Sequence, residues 1–481
     1  MTDIAVPTPL RMMAAAAVLA FSAVPARAQA PAPGDTLRVT LQDAVARALA
    51  QGDEVRLAGA RSAAANAQVG QARATALPAL RMNGAFTHVY ENARAQAVGQ
   101  IFNQPNTYNV NFNLSAPLFQ GGRISAGLRS ARGLRGAAQA DVEQARADVT
   151  LDVLDAYLGA LFADRLVQIQ RENVRLADER VTQVEQLERA GRSSRYDVLR
   201  ARVERANLEP AAIQAEGARD LALLELRRLT NLPASQPLRL TTPVSAEAVA
   251  AMAGSAGGGV ANDSAAIAAI PSVRAAELRY SATRAGIAIA RADYLPTLSV
   301  FVQSGFQAFP TDWRFPTSRG ALDTVECPAG SEPDRVCTQQ NGGWFSDRSA
   351  GLQVSWPVFD GFRTRSNVAL ARAQADISRA QYAQAREAAA VQLATARSDL
   401  QTAQAQFAAT RANVSEAEEA FRLASLRFNR GLSTQLDVSD AQLALATARS
   451  NEARATHELY LAAAGLARAL GRPIPLLPAA P

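Results

Sequence analysis

Asp437 and Asp440 stand three residues apart in the run Gly431-Leu432-Ser433-Thr434-Gln435-Leu436-Asp437-Val438-Ser439-Asp440. That spacing puts both carboxylates on one face of a helix. Such a pair could shuttle protons in hydrolysis, hold a cation, or act as fixed negative charge. Hydrolysis has little support: no pocket-forming α/β framework, nucleophile motif or metal-ligand cluster accompanies the pair, and an exposed helix end makes no cleft. The reading is therefore of a protein that is not an enzyme and needs no cofactor or metal. Fixed charge remains, beside the plainer alternative of solvated carboxylates in a first helical turn, where the helix dipole favours them. Asp197 holds the corresponding place in an earlier run, but there Arg200 stands where Asp440 would be. The only cysteines, Cys327 and Cys337, lie close together and should pair if the chain is exported to an oxidising compartment. His88 and His457 are too isolated to complete a metal site with them.

The stretch that must carry the aspartates is Phe362 to Arg430, which contains neither proline nor glycine. As one straight helix it would be on the order of 100 Å long. Leu393, Leu400, Phe407, Val414, Phe421 and Phe428 recur every seventh residue, with Ala396, Ala403, Ala417 and Ala424 three places on. Large residues at one seam position and alanine at the other let helices approach closely and supercoil. Gly431 ends the stretch and a second seven-residue alanine series follows, so two helices fold back around a glycine turn. Gly191 and Gly431 suit a left-handed helix terminator.

The 481-residue chain has a net charge of +6, and all of its basic residues are arginine apart from the two histidines. The arginines are spread along helices among Asp and Glu, with no basic block beside an aromatic platform, which argues against nucleic acid as a partner. Arg11, an apolar run from Met12 to Val24, and Ala26-Arg27-Ala28 read as a secretory signal cut after Ala28.

An internal repeat organises the remainder. Leu114-Ser115-Ala116-Pro117-Leu118-Phe119-Gln120-Gly121-Gly122-Arg123 matches Val354-Ser355-Trp356-Pro357-Val358-Phe359-Asp360-Gly361-Phe362-Arg363, and Leu77-Pro78 matches Leu295-Pro296. The longer second copy places its extra residues in one loop. Each copy reads helix, strand, loop, strand, long helix, glycine turn, helix. Strands are expected near Leu80 to Phe86, Tyr108 to Ser115, Leu298 to Phe306 and Ala350 to Val358, the clearest alternating apolar and polar residues. Strands of about ten residues with one greasy face suit a membrane-spanning β-barrel, and four cannot close one, so closure needs several chains. The expected organisation is a signal peptide at 1–28, a first repeat at 29–233, a linker or equatorial segment at 234–266, a second repeat at 267–473 and a tail at 474–481. A periplasmic coiled-coil scaffold without a pore is the competing reading, but it leaves the alternating strands without a purpose.

In the order and spacing of these features, across nearly all of the mature chain, the sequence resembles the TolC-like outer-membrane channel family. The resemblance implies an α+β membrane protein in the cell outer membrane: a homotrimer with a twelve-strand β-barrel continuous with a helical coiled-coil tunnel in the periplasm. It implies an exit channel of a tripartite efflux pump or type I secretion system, working with a periplasmic adaptor and a proton-driven or ATP-driven inner-membrane transporter. It also implies a constriction at Asp437 and Asp440, with Asp197, and adaptor contacts at Ala190, Gly191, Gly431 and Leu432. Where well-known members use a tyrosine and an arginine to hold the tip closed, this chain has Phe428 and Ser433. Closure would then rest on apolar packing by Phe428 and Leu436, with Arg192 or Arg195 as a substitute ionic partner. Gly52-Asp53, where many relatives have Asn-Pro, should affect only a local bend.

Overall fold

A computed structural model of the chain describes residues 37–91, 93, 105–233, 236–256, 263–325 and 337–477. The signal segment lies outside the described residues. The chain makes two passes through a similar order of elements. The first is β1 (Leu37–Val39), α1 (Leu41–Gln51), α2 (Asp53–Ala74), β2 (Ala79–His88), β3 (Asn106–Gln120), α3 (Arg123–Arg189) and α4 (Arg195–Thr230). The second is β4 (Leu238–Leu240), α5 (Ala246–Ala256), α6 (Asp263–Ala269), α7 (Pro271–Arg291), β5 (Thr297–Ala308), β6 (Leu322–Val325), β7 (Cys337–Gln340), β8 (Trp344–Ser355), α8 (Arg363–Asn429) and α9 (Gln435–Ala469).

Helices α3 and α8 have 67 residues each, about 100 Å at 1.5 Å per residue. Their return partners α4 and α9 have only 36 and 35, so the fold does not contain four helices of equal length. The missing length is supplied by α2 and α7, which pack beside the long pair. In the predicted heptad, Leu393, Leu400 and Phe407 are buried, whereas Val414, Phe421 and Phe428 toward the tip are half-buried. The break between α1 and α2 falls at Gly52, whose N–H bonds Ala48 O at 2.8 Å. A Cβ there would lie 2.3 Å from that same oxygen, so only glycine fits. In the second pass Pro271 opens α7 after the extended Ile270, the position where proline's missing N–H costs nothing.

Strands β2, β3, β5 and β8 form one antiparallel sheet in that order. Leu77-Pro78 and Leu295-Pro296 immediately precede β2 and β5, as expected. Strand β8 runs from Trp344 to Ser355 rather than from Ala350 to Val358, and Pro357, without an N–H to donate, lies beyond its end. The register keeps side-chain faces in phase across all four strands. Leu80, Leu114, Val302 and Ala350 make one row, and the next row along the same face is Met82, Phe112, Ser304 and Arg348. The opposite face carries Arg81, Asn113, Gln303 and Ser349 beside Asn83, Asn111, Gly305 and Asp347. The insertion between β5 and β8, expected as a plain loop, holds the β6–β7 hairpin, with Val325 paired to Cys337.

Much of the segment expected as a linker or equatorial segment packs into the main core. Strand β4 pairs in parallel with β1, and α5 packs on α9 and α8. This belt surrounds the middle of the long helices and buries Leu41, Leu154, Leu226, Val249, Leu393 and Leu459. Tyr157 OH donates to Val39 O at 3.0 Å and accepts from Thr242 N at 3.1 Å, which satisfies backbone groups that burial would otherwise strand. Tyr460 OH donates to Pro475 O at 3.2 Å and accepts from Leu477 N at 2.8 Å, fixing the start of the tail. Burial pushes the Tyr460 hydroxyl pKa up to about 12.

Candidate functional site

The two glycine turns are built alike. Gly191 (φ 69°) and Gly431 (φ 74°) adopt the left-handed conformation. Arg192 N bonds Leu187 O at 2.8 Å, and Leu432 N bonds Arg427 O at 2.8 Å, closing the last carbonyls of each long helix. Ser194 and Thr434 then cap α4 and α9 through capping boxes with Asp197 and Asp437. The Asp197 carboxylate accepts from Ser194 Oγ at 2.7 Å, Ser194 N at 3.0 Å and Ser193 Oγ at 3.1 Å. Asp437 accepts from Thr434 N at 2.8 Å. Hydrogen bonds from the Ser194 side chain and then its backbone hold Asp197 below the usual carboxylate range. Asp437 is lowered likewise, first by the Thr434 backbone and then by its side chain. Both aspartates are thus helix caps, and both keep their charge in neutral solution.

Asp440 is exposed. It borders a groove of about 670 Å³ between α8 and α9 and a cavity of about 250 Å³ between α3, α4 and α9. Around this cavity lies a polar network that sequence reasoning did not single out. Arg180 on α3 donates to Ser439 Oγ at 2.7 Å and to Gln442 Oε1 at 3.1 Å. Ser439 Oγ donates to Glu204 Oε2 at 2.9 Å, and Arg200 Nε holds the other Glu204 oxygen at 2.9 Å. Burial lowers the pKa of Arg180 from its ordinary value, with the Glu204 charge opposing. Arg200, which breaks the acidic pattern of the first pass, therefore anchors the glutamate that reaches across to the second. The available signal was an arginine inside the α3 seam, between Ala177 and the buried Val184.

The predicted gate residues differ in exposure. Phe428 and Ser433 are half-buried, and Ser433 Oγ reaches Ala424 O at 3.5 Å. Leu436 is 43% exposed. Arg192 and Arg195 are exposed and make no ion pair within the described residues. Ala190, Gly191, Gly431 and Leu432 are exposed at the turns. Of the predicted disulfide, Cys327 lies outside the described residues, and of Cys337 only the β7 backbone is described.

Aromatic residues collect at both ends of the sheet. At the loop end, Phe86 and Tyr108 meet at 4.7 Å between ring centres. At the helix end, Trp356 Nε1 donates to Tyr294 O at 3.2 Å, and Phe359 meets Phe362 at 5.7 Å. An apolar sheet face bounded by two aromatic bands is the pattern of a strand set seated in a bilayer.

An amphipathic antiparallel sheet joined to helices too long for a globular domain defines an outer-membrane channel architecture. Residues 44–232 and 264–472 match the family model described as outer membrane efflux protein, and the chain belongs to that family. It is 27% identical over 370 residues to protein CyaE of Bordetella pertussis, covering 76% of this chain and 70% of that one. It is 25% identical over 369 residues to the cobalt-zinc-cadmium resistance protein CzcC of Cupriavidus metallidurans, covering 75% and 76%. The fold is that of the solved CusC structure, with a TM-score of 0.73 at 18% identity over 90% of this chain and 92% of that one. VceC from Vibrio cholerae gives 0.69 at 20% identity over 90% and 97%. The chain is accordingly an outer-membrane transport protein, not an enzyme, with its helical part extending into the periplasm.

Proposed function

We propose that three copies of this chain close a twelve-strand barrel and a helical tunnel that passively conducts substrates out of the cell. The observation that carries this reading is the sheet: four paired strands with an apolar face and, among the described residues, two unpaired edges, β2 and β8. Lipid cannot satisfy the backbone groups of an open edge, so such a sheet must close on copies of itself. The repeats 29–233 and 267–473 each contribute one hairpin and one helical arm.

In this reading the turns form the periplasmic mouth. Asp437, Asp440 and Asp197 ring the constriction, Phe428 and Leu436 pack it shut with Ser433, and Arg192 and Arg195 border it. Ala190, Gly191, Gly431 and Leu432 meet a periplasmic adaptor, which joins the channel to an inner-membrane transporter driven by protons or ATP. Relatives named for cobalt-zinc-cadmium resistance and toluene efflux support export as the activity, whether in a tripartite pump or a type I secretion system. The test is extraction of outer membranes in mild detergent, followed by gel analysis with and without heating and by planar-bilayer recording. A heat-modifiable trimer with discrete conductance is expected. A non-conducting monomer or dimer recovered from the soluble periplasm would favour the scaffold reading instead.

A further inference from the structure

At the loop end, the apolar sheet face finishes in a row of rings. Phe86, Tyr108, Ala308 and Trp344 are direct neighbours across the four strands, and Ala308 is completely buried. The insertion adds two more rings. Trp313 stacks on His88 at 4.4 Å and lies 5.8 Å from Phe86. Phe315 meets Tyr108 at 5.5 Å and Trp344 at 5.7 Å. Even so, Trp313 and Phe315 remain 64% and 65% exposed, an aromatic shelf of tilted rings that the chain itself does not cover.

Below the shelf lies a charge. Arg348 sits four residues along β8 from Trp344 on the same face, about 13 Å at 3.3 Å per residue. It is paired across the sheet with Ser304, and Ser346 intervenes on the same face. Arg348 is exposed and has no ion-pair partner among the described residues. A cation on a lipid-facing strand is costly at mid-membrane and tolerated close to the headgroups. Above it, exposed Arg319 is held beside Trp344 by a backbone bridge, and Arg314 makes only a loose 3.8 Å contact with Asp312.

We propose that this rim is a binding site for a phosphorylated glycolipid of the outer leaflet. Its acyl chains lie on the rows of Leu, Val and Phe, a sugar ring packs its apolar C–H face on Trp313 and Phe315, and a phosphate pairs with Arg348. Arginine suits that role because its planar fork bonds phosphate in a bidentate manner. The loop arginines are placed for a second phosphate. A simple phospholipid would use Arg348 but leave the shelf bare, which favours a sugar headgroup.

The inference rests on the barrel reading above, so each preparation is first checked for trimers and conductance. Detergent-solubilised trimer is then titrated by native mass spectrometry with bisphosphorylated lipid A, its dephosphorylated form and phosphatidylglycerol. The bisphosphorylated form should bind at least tenfold more tightly than the dephosphorylated one. Arg348→Leu, a change compatible with a lipid-facing position, should abolish most of that preference. Trp313→Ala, in the loop outside the strand ladder, should weaken both glycolipids and leave phosphatidylglycerol unchanged. Full preference retained in Arg348→Leu, or phosphatidylglycerol binding as tightly as lipid A, overturns the glycolipid site while conductance leaves the barrel standing. Wild-type protein with neither trimers nor conductance overturns both.

Discussion

Replacing Arg180 by methionine should loosen α9 from the α3–α4 hairpin while leaving the fold intact. Methionine keeps the apolar stem in the seam and removes only the guanidinium. The loss is two hydrogen bonds from a charged donor, to Ser439 and Gln442, each worth roughly 1.5–3 kcal/mol. Relief from burying the guanidinium, the same burial that lowers its pKa, offsets part of this. Glu204 is not stranded, because Arg200 still holds it at 2.9 Å. A net local cost of about 1–3 kcal/mol corresponds to amide exchange roughly 5- to 150-fold faster over the first turns of α9. Hydrogen exchange of purified protein reads this directly, and bilayer recording shows whether the looser tip conducts more at rest. Unchanged protection from Gln435 to Leu445 would refute the claim that this network ties the two passes together.

Asp437→Asn combined with Asp440→Asn should abolish block by multivalent cations in bilayer recordings, while the asparagine at 437 preserves much of the cap. Phe428→Ala should raise resting conductance and vancomycin entry more than Arg192→Ala does; the reverse order would indicate an ionic lock at the first turn. Gly52→Ala forces a Cβ to 2.3 Å from a backbone oxygen and should cost about 1–3 kcal/mol, seen as a lower Tm with an unchanged trimer. Asp197 and Asp437 have folded pKa values below their unfolded ones, so their capping stability is present above the unfolded value near ~3.9. It is lost as pH falls through the lower folded pKa. Exchange at both turns, corrected for intrinsic rate, should therefore stay flat from neutral pH to about 4 and accelerate below it.

The strands were legible because a sheet with one apolar and one polar face has a period of two, seen in residues such as Tyr108, Val110 and Phe112. The second long helix was legible because a seven-residue seam and the absence of glycine and proline leave few alternatives, and the internal repeat carried that reading onto the first, which holds glycines such as Gly133 and Gly159. The packing of the belt into the core was not, since prolines and glycines between 233 and 259 have linker composition. Its order comes from distant partners such as Tyr157 and Thr242, 85 positions apart. The β6–β7 hairpin was missed for a similar reason: Leu322–Val325 and Cys337–Gln340 are short and mostly polar, and only their pairing makes them strands. Asp437 and Asp440 were recognised as a pair, but the capping bonds of Asp437 and of Asp197 were not anticipated. Arg180, Glu204 and Ser439 became visible only when α3, α4 and α9 were packed together.

The two open edges of the four-stranded sheet have a consequence for genetics. If each protomer lends one edge to each neighbour, a chain that folds but presents a damaged β2 edge still occupies a place in the ring and spoils its seam. In a cell making equal amounts of sound and damaged chains that mix at random, only about one ring in eight would be wholly sound. An edge defect should therefore act as a dominant trait, whereas a chain that fails to fold, and so never enters a ring, should be recessive.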